Sequence, residues 1–178
     1  AGHPFPGHTE LLAHMTGSKK AALMMAGKNL RVVLVTTHVP LGQVQPLISE
    51  ENVFNTIRLT HEWLVQNVTD IPNIAVTGLN PHCGDEGIFG KEEIQHILPA
   101  LKKAQAEGIQ ASGPFSADAL FSRLDSKKYD AVVCMYHDQG MIPVKIDSAG
   151  QGVNITLGLS ILRTSVDHGT AFDIAGKG

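Results

Sequence analysis

Three short runs of β-branched and apolar residues constrain this 178-residue chain more than any other feature: 31–37 (RVVLVTT), 73–78 (NIAVTG) and 130–136 (DAVVCMY). They are too short for helices and lack the polar alternation of a strand wetted on one side, so they read as buried strands of a parallel sheet. Between the first two, Ser49 is placed to cap a helix on which Val53, Phe54, Ile57, His61, Leu64 and Val68 share one face. After the second, residues 91–107 carry Ile94, Ile97, Leu98, Leu101 and Ala104 at helical spacing; Gly108 is a stop signal and Pro99 predicts a kink. A short helix near 117–123 precedes the third strand, and Thr9 is positioned to cap an opening helix through Lys20. Strand and helix in alternation predict an α/β fold, a largely parallel sheet with flanking helices and right-handed crossovers. Glycines 150, 152, 158, 169, 176 and 178 punctuate the last segment, where turns are expected to dominate. No repeat or internal domain boundary is visible.

Composition removes several classes. With 43% hydrophobic and 17% charged residues, the chain can build a core and is not a disordered acidic tail. A formal charge of -3 offers none of the basic footprint that a nucleic-acid partner requires. No stretch approaches the ~20 apolar residues of a membrane span. Cys83 and Cys134 form no framework, which suits a reducing cytoplasm.

Each predicted strand runs into a histidine: His38 after the first, His82 after the second, His137 after the third. In parallel α/β sheets the carboxyl ends of the strands share the edge where ligands bind. Three imidazoles there are suited to one divalent ion with an open coordination position, Zn²⁺ first, with Mg²⁺ or Co²⁺ as alternatives. The competing reading is that these histidines cap strands or bond to neighbouring carbonyls. Cys83 is read as a reduced thiol in preference to a soft ligand. Asp138, next to His137, either orients that ring or works as an acid–base group. In the charge-poor tail, Lys145, Asn154 and Arg163 offer a point charge, an amide and a planar fork for a phosphate or carboxylate. His8 and Thr9 either contact the same ligand or begin a helix. The glycine-rich 168–178 allows close approach to a ligand, and Asp173 is placed to accept from ribose hydroxyls; no G-x-G-x-x-G follows a strand.

Taken together, Gly7-His-Thr-Glu10, Thr36-Thr-His-Val-Pro40, Gly78-Leu-Asn-Pro-His82, Tyr136-His-Asp-Gln-Gly140, Gly152-Val-Asn-Ile-Thr-Leu-Gly158 and Arg163-Thr-Ser-Val-Asp-His-Gly-Thr-Ala171 resemble the 4-hydroxythreonine-4-phosphate dehydrogenase family of pyridoxal phosphate biosynthesis. The six motifs occur in family order across essentially the whole chain. The tail is also similar to that of isocitrate and isopropylmalate dehydrogenases, which implies their fold and their non-Rossmann way of holding NAD. By this resemblance, His38, His82 and His137 are metal ligands at a homodimer interface. His8, Thr9, Lys145, Asn154 and Arg163 contact a phosphorylated hydroxy-acid substrate, and Lys145 and Asp138 are the candidate catalytic groups. His168, Gly169, Thr170, Ala171 and Asp173 hold the cofactor. The implied reaction is NAD-dependent oxidation of a secondary alcohol followed by loss of CO₂. The resemblance further implies that residues 1–178 are the middle and C-terminal portion of a two-domain enzyme, without its N-terminal segment and closing helix. The motif Cys83-Gly-Asp-Glu-Gly87 departs from the Ala-Gly-Glu of many relatives. Sister enzymes oxidise D-threonate or D-erythronate 4-phosphate or ring dihydrodiols, and a three-histidine zinc hydrolase is the reading from another class.

No Arg or Lys lies between His168 and Ile174 to meet a 2′-phosphate. The full-length enzyme is therefore expected to prefer NAD over NADP. Comparing kcat/KM for the two cofactors checks this, and a clear NADP preference refutes it.

Overall fold

The computed structural model describes residues 8–18, 20–123, 128–167, 172 and 174–177, with the side chains of 8–10 excepted. The three apolar runs form β2 (Arg31–Leu34), β3 (Ile74–Thr77) and β5 (Ala131–Cys134), and all but Arg31 are buried. Four further strands join them: β1 (Ala22–Ala26), β4 (Ala111–Phe115), β6 (Val153–Leu157) and β7 (Arg163–Val166). The sheet order is β4-β3-β5-β2-β1-β6-β7. Pairing is parallel from β4 to β2, and antiparallel across β1, β6 and β7.

The helices are α1 (His8–Met15), α2 (Val44–Leu47), α3 (Glu50–Asn67), α4 (Leu98–Ala106), α5 (Ala117–Ser122) and α6 (His137–Ser148). A short 3₁₀ turn occupies Leu41–Gln43, a left-handed turn lies within Pro81–Gly87, and a π-turn, Glu93–Ile97, leads into α4. Ser49 caps α3 as expected, its hydroxyl accepting from Asn52 N at 3.2 Å. Pro99 lies within continuous helical backbone, where it cannot donate to a preceding carbonyl, and the irregularity expected of it takes the form of the π-turn Glu93–Ile97 just before it. The opening helix is shorter than expected, and Thr9 lies inside it, not at its cap.

Alternation along the strands divides the core. Val33, Ile74, Val76 and Val133 pack with Val53, Ile57 and Leu64 of α3 and Leu101 of α4. Val32, Leu34, Ala75 and Val132 face Met141 and Val144 of α6 on the other side. The tail corrects the turn-rich expectation, because 153–157 and 163–166 pair as strands and the glycines flank them. Gly158 has φ +80, and a Cβ there would lie 2.5 Å from Lys20 O, so glycine is required by both backbone and space. No helix among the described residues is long and apolar enough to cross a membrane.

One long-range clamp fixes α6 against the sheet. The Asp147 carboxylate accepts from Asn29 N (2.8 Å), Leu30 N (3.1 Å) and Asn29 Nδ2 (3.0 Å) in the β1–β2 turn. Burial works to raise its pKa, but these donors together outweigh burial and hold it below the usual carboxylate range. A depressed folded-state value means the stabilisation is present above the unfolded pKa, about 4, and lost as pH falls through the folded value. Asp147→Ala should lower unfolding stability at pH 7 by about 1–2 kcal/mol, and the gap from the parent should narrow as pH falls from ~4 through the lower folded value. Denaturant titrations at pH 7 and down that range check this.

Candidate active site at the carboxyl edge

Because β3, β5 and β2 are adjacent and parallel, their carboxyl ends emerge side by side. Pairing of β2 with β5 continues past the regular strands: Val35 N donates to Cys134 O at 2.9 Å and Thr36 Oγ1 to Met135 O at 2.8 Å. This delivers His38 and His137 to one place, with ring centroids 5.5 Å apart at 46°. Both line a cavity of about 530 Å³ with Thr37, Val39, Leu41, Val44, Tyr136 and Asp138. His137 Nδ1 lies 2.6 Å from Asp138 Oδ1. A neutral ring that donates from Nδ1 to this carboxylate keeps the Nε2 lone pair, the tautomer suited to a metal ligand or a proton acceptor.

Gln139, one residue further on, was not singled out from the sequence. Its Oε1 accepts from Thr77 Oγ1 (2.7 Å) and Met135 N (2.7 Å), and its Nε2 donates to Gly78 O (2.8 Å). It thus ties the end of β3 to the end of β5 just before each strand's histidine.

His82 sits on that β3 end in an unusual turn. Residues 82–86 all have φ between +44° and +80°, a left-handed single turn closed by Gly87 at φ +97. The His82 ring lies 6.5 Å from Phe89. Nearby on α5, the Asp118 pKa is lowered, first by the hydrogen bond from the Ser116 hydroxyl. Among the described residues no three His, Cys, Asp or Glu side chains are close enough to hold one ion. One chain therefore pairs His38 with His137 and leaves His82 a strand away. Cys83 remains a protonated thiol: burial and the Glu93 charge raise its pKa, and its Sγ meets Pro114 O at 3.4 Å.

The anion-binding candidates lie on the sheet face covered by α6, since Asn154 pairs with Met25, a member of that core. Arg163 reaches across to Thr156 Oγ1 (3.1 Å) and Asn154 Oδ1 (3.4 Å). Lys145 Nζ forms an ion pair with Asp167 Oδ1 at 2.9 Å, just beyond β7. Eight residues of α6 separate His137 from Lys145, about 12 Å of helical rise. The two do not share the histidine cavity within one chain. The backbone of His8 and Thr9 opens α1; their side chains, and His168, Gly169, Thr170, Ala171 and Asp173, lie outside the described residues.

A mostly parallel α/β sheet whose carboxyl edge carries a histidine-lined cavity defines the chain as an α/β protein, the class in which that edge is where ligands bind. It belongs to the family described as pyridoxal phosphate biosynthetic protein PdxA, whose model matches residues 1–178. A 4-hydroxythreonine-4-phosphate dehydrogenase of Geobacter metallireducens is 56% identical over all of this chain and 52% of its own length. A relative from Oceanobacillus iheyensis, provisionally named a D-threonate 4-phosphate dehydrogenase, is 51% identical over 99% of this chain and 54% of its own. A solved 4-hydroxythreonine-4-phosphate dehydrogenase from Klebsiella pneumoniae superposes with a TM-score of 0.89 at 44% identity, over 98% of this chain and 53% of that one. The chain spans about half the length of the curated relatives it matches.

Replacing Gln139 with Leu keeps its bulk and removes all three bonds, leaving the Met135 N–H and the Gly78 carbonyl without this partner, while the Thr77 hydroxyl keeps Val133 O at 3.3 Å. Gln139→Leu should cost about 2–3 kcal/mol of stability. Chemical denaturation measures it, and a loss below ~0.5 kcal/mol would show the clamp is dispensable.

Proposed function

We propose that this chain is the middle and C-terminal portion of a 4-hydroxythreonine-4-phosphate dehydrogenase. The reaction is NAD-dependent, metal-assisted oxidation of the secondary alcohol of 4-phosphohydroxy-L-threonine, with the adjacent carboxylate lost as CO₂ to leave 3-amino-2-oxopropyl phosphate. The observation carrying this reading is the family match over the whole chain, together with the histidine pair at the strand edge.

The donor chemistry fits a divalent cation: two imidazoles face one cavity, and one has its second nitrogen engaged by a carboxylate. His38 and His137 would hold it with His82, and such an ion supplies Lewis-acid polarisation of the alcohol oxygen. NAD, held by His168, Gly169, Thr170, Ala171 and Asp173, supplies the hydride acceptor. Asp138 orients His137, and Asp138 and Lys145 are the candidates to carry the alcohol proton. Arg163, Asn154 and Lys145 bind the substrate phosphate, aided by His8 and Thr9. The 12 Å of helix between His137 and Lys145 suits a site completed in a homodimer, where the histidine pair of one chain meets the cationic face of the other. Two free thiols fit a cytoplasmic protein. The near-equal identity of the Oceanobacillus iheyensis relative favours D-threonate 4-phosphate as the second substrate reading.

NADH formation by the full-length protein on the two phosphorylated substrates, assayed side by side, decides between them; substrate consumption with no nicotinamide reduction would favour a hydrolase. Arg163→Met should weaken binding of the phosphorylated substrate ~10–200-fold, much more than that of its dephosphorylated analogue. Equal weakening of both would remove Arg163 from the phosphate site.

A further inference from the structure

The left-handed turn that carries His82 is organised around a carboxylate with no assigned task. Glu93 is only 2% exposed, and among the described residues it forms no ion pair with a Lys, Arg or His. Its Oε1 accepts from Leu79 N and Asn80 N, both at 2.7 Å, and its Oε2 from Asn80 Nδ2 at 2.9 Å. Leu79 and Asn80 stand two and one residues before Pro81, the start of the turn. The turn also closes sterically onto the same group: a Cβ at Gly84 would lie 2.9 Å from Glu93 Oε2, and one at Gly78 3.0 Å from Oε1. Left-handed geometry is unfavourable for an L-residue, whose Cβ crowds the backbone, and His82, Cys83, Asp85 and Glu86 all adopt it. Such a conformation persists only where its surroundings over-determine it. A buried carboxylate is costly unless N–H donors satisfy it, and these donors all belong to the chain entering the turn.

We propose that Glu93 is a positioning residue for His82: it acts through the 79–80 backbone to fix the direction in which the chain enters the His82 turn. Glu92 reinforces it, since Asn80 Nδ2 also donates to Glu92 Oε2 at 2.7 Å while Gln45 Nε2 holds Glu92 Oε1. Asn80 cannot turn its amide round to suit an altered residue 93 without setting its oxygen against the Glu92 carboxylate. Glu93→Gln therefore leaves two amide N–H groups opposed, a conflict that the near-identical shape of glutamine does not relieve. The role rests on the reading of His82 as a metal ligand.

The test uses full-length protein and Zn²⁺ alone. Glu93→Gln should speed hydrogen exchange at the Leu79 and Asn80 amides and lower Zn²⁺ affinity ~10–100-fold. Leu101→Ala, a core change about two turns further along the same helical run that makes none of these hydrogen bonds, should lower Tm without that loss of affinity. If Glu93→Gln does not fold, Asn80→Ala, which keeps the two backbone bonds, should still weaken Zn²⁺ binding severalfold. Zn²⁺ affinity within threefold of the parent in the variant that folds, or an equal fall in Leu101→Ala at matched Tm, overturns the role. His82→Ala separates the two levels. Loss of Zn²⁺ there with affinity kept in Glu93→Gln refutes Glu93 alone, and full Zn²⁺ retention in His82→Ala refutes the metal reading and Glu93 with it.

Discussion

Parallel pairing of β3, β5 and β2 is the constraint from which the rest follows. The three strands are buried on both faces, so their registers are held by core packing on two sides as well as by the ladder. A one-residue slip would exchange the α3-facing and α6-facing sets, which differ in size and neighbours. Fixed registers fix the strand ends, and the strand ends carry the histidines. The 5.5 Å approach of His38 to His137 is thus a consequence of pairing that begins several residues earlier.

Polar groups then refine what packing delivers. Gln139 joins the β3 and β5 ends, Asp147 pins the far end of α6, and Glu93 gathers the backbone before His82. Each uses one side chain to satisfy backbone N–H groups that the sheet and helices leave unpaired. The left-handed turn after Asn80 shows why this matters most at the β3 edge. Five successive residues there have positive φ, and Glu93, Glu92 and Asn80 form a polar network at the entry to the turn.

The α6 helix separates two chemistries. Its first residue stands in the histidine cavity, and its last turn supplies Lys145 to the opposite end of the covered sheet face. Within one chain these two ends stay apart, and Arg163, hydrogen-bonded to Asn154 and Thr156, stands with Lys145 on the face that α6 covers.

Much of this was legible in the residues themselves. β-branched runs announce β2, β3 and β5, and the position of each histidine directly after one of them announces the edge. Other elements were not. β1 reads Ala-Leu-Met-Met-Ala, residues that favour helix, and becomes a strand because β2 and β6 pair with it on either side. β4 contains Gly113 and Pro114, which argue against a central strand and are tolerated at the sheet edge it occupies. Adjacent glutamates in a helical pattern look like a solvated face, so nothing local marks Glu93 as buried. Local periodicity and residue type determine which segments become strands and helices, because those preferences act within a few residues. Which side chains meet, His38 with His137, Gln139 with Gly78, Glu93 with the entry to the His82 turn, was decided only when distant segments packed, because those contacts depend on strand order and register.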